Sequence, residues 1–257
     1  MTGPAPPEKN VIRISGSDTM LILTRLWAEE YMKRHVGASV YVEGGGTASG
    51  VRDLIRSKND VCAASRPLLP LEVQQLARRH NAVGLTFAVA KEALSVYIHP
   101  QNPIRNLTLQ QLKSIFTGTV RNWSALGGWD APIFVNIRSP NSGTYFYFRE
   151  HVLNEEPYVS TARILHSTQS IVQAVSENRY AIGYGGVAYG LSLHCKINGI
   201  EPTHATIIDD SYPITRYLYL VTTSSPKGTI KAFIDWVLTP EGQSVVERAG
   251  YVPLWSP

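Results

Sequence analysis

The segment VIRISGSDTM, residues 11–20, carries the pattern that decides the fold of this chain. Its β-branched start predicts a strand at residues 11–15, and Gly16 with the polar triplet after it predicts a turn. Apolar side chains then recur at spacings of three and four, which predicts a helix with one buried face. These side chains are Met20, Leu23, Trp27 and Tyr31.

The segment SVYVEGGGTASGVRDLI, residues 39–55, repeats this unit with a strand at 39–43, a glycine-rich turn at 44–50 and a short helix. Further strands are predicted at residues 60–64, 86–99, 133–137, 180–184 and 217–222. Further helices are predicted at residues 71–79, 108–116, 145–153, 170–177, 230–238 and 240–249. Strands that alternate with helices are typical of α/β proteins with a mainly parallel sheet.

Two of the predicted strands, residues 86–99 and 217–222, are placed to cross between two lobes. We therefore predict lobe 1 from residues 11–92 and 216–257, and lobe 2 from residues 93–215. Residues 1–10 are predicted to be a flexible leader, or the remnant left where a signal peptide was removed. The chain of 257 residues is long enough for two such lobes, and two crossings imply a cleft with a hinge beneath it.

The composition is that of a folded soluble protein, with 44% hydrophobic and 17% charged residues. The net charge of +4 could suit an anionic ligand or nucleic acid, but the basic residues are dispersed, so we expect no nucleic-acid partner. No stretch approaches eighteen consecutive apolar residues, so no membrane span is predicted. Cys62 and Cys195 are expected to be unbonded, one in each lobe, because a bridge would restrain the hinge.

Three polar turns follow predicted strands: Ser17-Asp18-Thr19, residues 46–50, and Ser142-Gly143-Thr144. The ends of strands in open α/β sheets are where ligands bind, and helix amino ends favour anions. Each turn alone could be an ordinary helix cap. Arg138 lies four residues before the third turn and offers a planar pair of donors for one anion, although a surface ion pair is also open.

The aromatic run at residues 145–148 could stack on a sugar or a base, but packing of a helix against the core is the favoured interpretation. The sequence motifs that would indicate an enzyme are weaker evidence than the three polar turns. The glycine run lacks the Lys-Ser/Thr ending of a Walker loop, and the only catalytic match is a Ser-x-x-Lys at residues 224–227. The seven histidines are scattered, so we expect no metal site, no cofactor and no enzymatic activity.

Five segments together resemble the phosphate-binding proteins of ABC-type phosphate uptake systems. They are GSDTM (16–20), EGGGTASGVRDLI (43–55), ASRPL (64–68), RSPNSGTYFYF (138–148) and TPEGQ (239–243). The resemblance runs over residues 11–253 and implies a type II periplasmic-binding-protein fold, with two α/β lobes joined by two crossover strands. It also implies phosphate delivery to a membrane permease without catalysis.

The resemblance implies a ligand set drawn from the three turns and their neighbours. These residues are Ser17, Asp18, Thr19, Met20, Thr47, Ser65, Arg66, Arg138, Ser142, Gly143 and Thr144. As in the family, we expect a monomer at the periplasmic or extracellular face of the membrane.

One position departs from the family pattern. The best-known members have Ser-Asp where this chain has Ser65-Arg66, and that aspartate accepts the proton of monohydrogen phosphate. Arginine cannot accept a hydrogen bond. Our hypothesis is that Asp18 takes the acceptor role. Alternatively, it neutralises Arg66 or Arg138, or it only caps the helix that follows.

Three other functions stay open at this point. They are a receptor for another tetrahedral oxyanion (sulfate, molybdate or tungstate), an enzyme acting on a phosphorylated substrate, and a cytosolic effector-sensing domain. The last is disfavoured because no DNA-binding segment is attached.

Overall fold

The computed structural model describes residues 10–255, so the predicted leader lies outside the described residues except for Asn10. It has two α/β lobes joined by two long crossing strands, which confirms the predicted fold class. Among the described residues, no helix is both long and apolar enough to cross a membrane.

Lobe 1 begins with three strand–helix units: β1 (Val11–Gly16), α1 (Leu21–Arg34), β2 (Ser39–Glu43), α2 (Thr47–Ile55), β3 (Val61–Ala64) and α3 (Pro70–His80). The crossing strands are β4 (Leu85–Ile98) and β10 (Thr215–Thr222). The chain closes on lobe 1 with α8 (Gly228–Val237) and α9 (Pro240–Arg248).

Lobe 2 lies between the crossing strands. Its elements are β5 (Asn106–Leu107), α4 (Leu109–Phe116), β6 (Phe134–Arg138), α5 (Gly143–His151), β7 (Arg163–Leu165), α6 (Thr168–Glu177), β8 (Ala181–Gly186), β9 (His194–Ile197) and α7 (His204–Ile208). The sequence did not predict β5, β7, β9 or α7, because segments of two to five residues are too short to show a period.

Eight of the ten described strands form one continuous path in the order β2-β1-β3-β10-β4-β8-β6-β7, and β9 pairs with β4 and β5 beside it. Pairing is parallel within each lobe, for β1 with β2 and β3, and for β6 with β7 and β8. The crossing strands are antiparallel to each other and to the neighbouring strands β3 and β8. Parallel pairing brings the carboxyl ends of β1, β3 and β6 to the cleft side of their lobes, where the predicted ligand turns begin.

Each lobe has its own apolar core. One cluster contains residues of lobe 1 up to Ala90 and from Leu218 onward, including Trp27. The other runs from Ala93 to Ile214, with Val252 added from the carboxyl end. The predicted division at residues 92/93 and 215/216 falls between these clusters and stays a prediction.

The glycine-rich turn is shorter than predicted. Residues 44–46 form the turn, but residues 47–50 are already the first turn of α2. The amide groups of Ser49 and Gly50 donate to the carbonyl of Gly46, so the helix begins as soon as the glycine run ends. Thr47 therefore lies at the amino end of a helix, where backbone amides have no partner within the helix.

Cys62 in β3 and Cys195 in β9 are both buried and free, as expected. Burial raises the pKa of the Cys195 thiol to about 12. Both cysteines are therefore uncharged at neutral pH and act as small apolar side chains.

Helix α2 packs on β1 at Gly50, and this contact has no room for a side chain. A Cβ there would lie 2.5 Å from the carbonyl oxygen of Ser15 and 2.8 Å from the sulfur of Cys62. We expect Gly50→Ala to lower the free energy of unfolding by about 1–3 kcal/mol, because this overpacking outweighs the gain in helix propensity of about 1 kcal/mol. Urea unfolding measures the change.

The matched control is Ser49→Ala, the neighbouring position in α2, whose hydroxyl contacts only Arg52 at the surface. It should change the free energy of unfolding by less than about 0.5 kcal/mol. Equal effects of the two substitutions would contradict the close packing of α2 on β1.

Candidate functional site

The first predicted turn lies directly after β1. Ser17 and Thr19 are buried, and their hydroxyl oxygens are 2.6 Å apart. Residues 18–20 form a single 3-10 turn that leads into α1, so these hydroxyls belong to the turn at the amino-terminal, positive end of that helix. Met20 contributes only its backbone here, because its side chain lies in the lobe 1 core.

Arg138 ends β6 and is the cation of this region, with 1% of its side chain exposed. Its Nη1 donates to Thr168 Oγ1 at 2.8 Å, and its Nη2 donates to Asp18 Oδ2 at 2.7 Å and to the carbonyl oxygen of His166 at 3.0 Å. The alternative of a surface ion pair is therefore wrong, because this guanidinium is buried. Burial lowers its pKa and Asp18 opposes that change, but an arginine in a protein keeps its charge.

Asp18 links the two lobes. Its Oδ1 accepts from the amide of Gly45 at 3.0 Å in lobe 1, and its Oδ2 accepts from Arg138 in lobe 2. The carboxylate is thus held by donors at both oxygens and neutralises Arg138. This geometry favours the neutralising role of Asp18 over the acceptor role, which stays a hypothesis.

Thr47, Ser65 and Gly143 meet where the lobes close. Thr47 Oγ1 lies 3.2 Å from Ser65 Oγ and accepts from the Ser65 amide at 3.1 Å. A Cβ on Gly143 would lie 2.5 Å from Ser65 Oγ and 2.7 Å from Thr47 Oγ1, so the amino end of α5 faces two lobe 1 hydroxyls. The amide of Ala48 also donates to the carbonyl of Asn141 at 3.1 Å across the same junction.

The remaining turn residues cap α5. Ser142 Oγ accepts from the amide of Thr144 at 3.2 Å, and both side chains are buried. Thr144 Oγ1 accepts from Arg216 Nη2 at 3.0 Å, so the turn is held from below by a residue of the crossing strand β10. We call the buried group made by the three turns, Ser65 and Arg138 the cradle.

Arg66 is the predicted site residue whose charged group points away from the cradle. Its guanidinium makes two hydrogen bonds to Glu72, at 2.7 and 2.8 Å, and lies 5.5 Å from the centre of the Phe146 ring. Glu72, not Asp18, therefore neutralises Arg66. Arg66 and Phe146 line an adjacent groove of about 720 Å³ together with Tyr217.

Sequence reasoning missed two residues of this region. Thr168 accepts a hydrogen bond from Arg138, and Arg216 donates one to Thr144. Thr168 is the first residue of α6, and Ser167 before it is a typical helix cap that could have marked this turn. Arg216 is the one charged residue in strand β10 (TRYLYLVT), which is a signal for a buried polar contact.

The aromatic run packs against the lobe 2 core through Tyr145, Tyr147 and Phe148, as the favoured interpretation predicts, whereas Phe146 lines the groove beside Arg66. Phe148 is fully buried, stacks on Tyr184 at 4.1 Å and meets Phe116 edge-on at 4.7 Å. Tyr147 donates its hydroxyl to the carbonyl of Thr215. These contacts anchor α5 to the lobe 2 core and so fix the direction of its amino end.

Comparison with known proteins matches this chain to one family model and to relatives that are phosphate-binding proteins. A family model described as a PBP superfamily domain matches residues 3–241. The phosphate-binding protein PstS of Pseudomonas aeruginosa is 29% identical over 263 residues, covering 93% of this chain and 81% of that protein. PstS of Staphylococcus aureus is 29% identical over 253 residues, covering 92% of this chain and 76% of that protein.

Among solved structures, one from Clostridium perfringens has a TM-score of 0.88 and 28% identity, and covers 95% of this chain and 100% of that chain. It is described as a candidate phosphate ABC transporter substrate-binding protein with bound phosphate. An ABC-type phosphate transport receptor from Vibrio cholerae has a TM-score of 0.76 and 26% identity.

The contact between Thr168 and Arg138 gives a test of how the buried guanidinium is held. We expect Thr168→Val to lower the free energy of unfolding by about 1.5–3 kcal/mol, because it leaves a charged donor unpaired in the interior. Thr168→Ser keeps the hydroxyl and should cost less than about 1 kcal/mol, the value of one buried methyl group. Urea unfolding that shows a larger loss for the serine variant would contradict the assigned hydrogen bond.

Proposed function

Since the chain belongs to the PBP superfamily, we propose that it binds inorganic phosphate in the cleft between its lobes and delivers it to the permease of an ABC transporter. In this role it is a receptor and not an enzyme. The relatives named above support phosphate as the ligand, because they are phosphate-binding proteins or a structure with bound phosphate.

The main support for this function is one N–H donor of Arg138 that has no partner in the described part of the chain. Its Nε is buried and has no hydrogen-bond partner among residues 10–255. A buried charged donor without a partner costs free energy, so Nε is the donor of Arg138 that remains for an acceptor in the cleft. An oxyanion supplies acceptors that fit one edge of a guanidinium.

The rest of the cradle suits a small tetrahedral anion. The turn at residues 17–20 and the amino ends of α2 and α5 converge from both lobes, and each brings backbone amides and hydroxyl groups. We propose that the anion is bound by Arg138 and by the hydroxyl groups Ser17, Thr19, Thr47, Ser65, Ser142 and Thr144. The backbone amides of Met20 and Gly143 lie in the same turns, and Asp18 balances the charge of Arg138.

Closure of the lobes is required for tight binding. Phosphate has about five non-hydrogen atoms, which at the ceiling of about 1.5 kcal/mol per atom corresponds to a dissociation constant in the low micromolar range. Exclusion of water strengthens each polar contact. The contacts of Gly143 and Asn141 with lobe 1 are the means of that exclusion.

We also propose a cellular location and an oligomeric state for the protein. A receptor that serves a permease works at the periplasmic or extracellular face of the membrane. We propose that it acts there as a monomer, with the lobe surfaces around the cleft available to the permease.

Calorimetric titration with phosphate, sulfate and molybdate tests the ligand. We expect phosphate to bind with a dissociation constant in or below the low micromolar range, and the other two anions to bind at least about tenfold more weakly. Tighter binding of sulfate or molybdate would identify a different oxyanion receptor. Binding of a larger phosphorylated metabolite and of none of the three anions would contradict the transport function.

Gly143→Ala tests closure at the cradle. The added methyl group would meet Ser65 and Thr47 only when the lobes are together, so phosphate affinity should fall at least about tenfold. The free energy of unfolding without ligand should change by less than about 1 kcal/mol, because alanine is favourable in a helix. Titration calorimetry and urea unfolding measure the two quantities.

The control is Glu150→Ala, an exposed position on the same helix, which should leave phosphate affinity unchanged. If Gly143→Ala also bound phosphate normally, the lobes would not close on the anion as proposed.

A further inference from the structure

Glu92 and Arg216 form a buried ion pair on the two strands that join the lobes. They are opposite each other in the antiparallel register of β4 and β10, and their side chains are 0% and 2% exposed. Arg216 donates to Glu92 Oε1 through Nε at 2.9 Å and through Nη2 at 2.6 Å. The pair therefore lies in the hinge, beneath the cleft.

Each side chain of this pair has one polar atom that makes no hydrogen bond to a described residue. Glu92 Oε2 and Arg216 Nη1 are buried and have no hydrogen-bond partner among residues 10–255. Burial raises the pKa values of the hydroxyl groups of Tyr97, Tyr189 and Tyr251, and the negative charge of Glu92 adds to each increase.

Each of these hydroxyl groups donates elsewhere, and the acceptors are the carbonyl groups of Gly186, Asp18 and Thr19. None of these hydroxyl protons is therefore directed to Glu92, and one oxygen of this fully buried carboxylate has no partner among the described residues. Buried polar atoms in proteins normally have a hydrogen-bond partner, so this oxygen is available to accept from a donor that arrives with a ligand.

The free oxygen lies next to the cradle on both sides. From the position of a Cβ on Gly186, Glu92 Oε2 is 2.5 Å away and the methyl group of Thr19 is 3.5 Å away. On the other side, Arg216 Nη2 donates to Thr144 Oγ1. Arginine only donates, so Thr144 must accept from it, and the Thr144 proton is free for an anion in the cradle.

Resting on the phosphate site proposed above, we propose that Glu92 accepts the proton of the bound ligand and thereby selects protonated phosphate over sulfate. Arg216 is the positioning residue that holds the carboxylate and balances its charge. A ligand oxygen that carries a proton can donate to Glu92 Oε2. Sulfate has no proton near neutral pH, so its oxygen would face a carboxylate oxygen without a hydrogen bond, which is unfavourable in a buried site.

The other two candidates for this role are occupied. Asp18 receives donors at both oxygens, and Arg66 is turned toward Glu72 and can only donate. Burial raises the pKa of Glu92, and the charge and hydrogen bonds of Arg216 oppose the change. Glu92 thus has the free oxygen and the position that the role requires.

Glu92→Gln tests the proposal by replacing an acceptor with a donor at one atom. Arg216 requires an acceptor, so the amide oxygen takes the Oε1 position and the NH₂ group takes the Oε2 position. Phosphate affinity should fall roughly 10- to 100-fold, the effect of one charge-assisted hydrogen bond, while sulfate affinity stays unchanged or rises. Titration calorimetry with phosphate and sulfate, on wild type and variant, measures both.

Asp18→Asn is the matched carboxylate-to-amide control. It should change phosphate and sulfate affinity by the same factor, because Asp18 serves the charge of Arg138. If Asp18→Asn rather than Glu92→Gln reduced the preference for phosphate, Asp18 would be the acceptor and the proposal for Glu92 would be overturned.

The experiment separates this inference from the proposed function. Wild-type protein that binds no phosphate contradicts the function itself, whereas phosphate binding with an unchanged preference in Glu92→Gln overturns only the role of Glu92. If Glu92→Gln fails to fold, Glu92→Gln/Arg216→Met removes both charges and avoids an unpaired buried cation. The same loss of preference is expected from it, and a retained preference overturns the proposal.

Discussion

The buried charge of Arg138 is the constraint on which the cleft depends. A guanidinium with 1% of its side chain exposed must have partners, and it finds them in lobe 2 through Thr168 and the carbonyl of His166, and in lobe 1 through Asp18. The lobe 1 partner is available only when the lobes are together. The charge of Arg138 therefore favours the closed arrangement of the two lobes, which is also the arrangement that brings the anion-binding groups together.

The polar residues around this cation divide into two layers. The upper layer, the cradle, consists of hydroxyl groups and helix amino ends that can face an anion directly. The lower layer is the Glu92–Arg216 pair on the crossing strands, which reaches the cradle through Thr144. The lower layer lies on the strands that connect the lobes. A ligand that contacts it therefore interacts with the hinge as well as with the cleft surface.

Much of this arrangement could be predicted from local sequence patterns. The strand, turn and helix of residues 11–31 and their repeat indicated a parallel sheet, and the geometry of such sheets brings the turns at Ser17 and Ser142 to one cleft. The partners of the charged groups could not be predicted in the same way. Arg138 and Asp18 are 120 residues apart in the chain, and Arg216 and Glu92 are 124 residues apart, so no spacing rule connects them. For Arg66 the nearby Glu72 was visible in the sequence, but only packing shows that it draws the guanidinium away from the cleft.

A crystal structure of the protein grown with phosphate would show where the anion binds. We expect a phosphate ion between the lobes, with oxygens within about 3.2 Å of Arg138 and of the hydroxyl groups of Thr47 and Thr144. We also expect one phosphate oxygen within hydrogen-bond distance of Glu92. An ion bound instead in the adjacent groove beside Arg66 and Phe146, with the cradle unoccupied, would contradict this expectation.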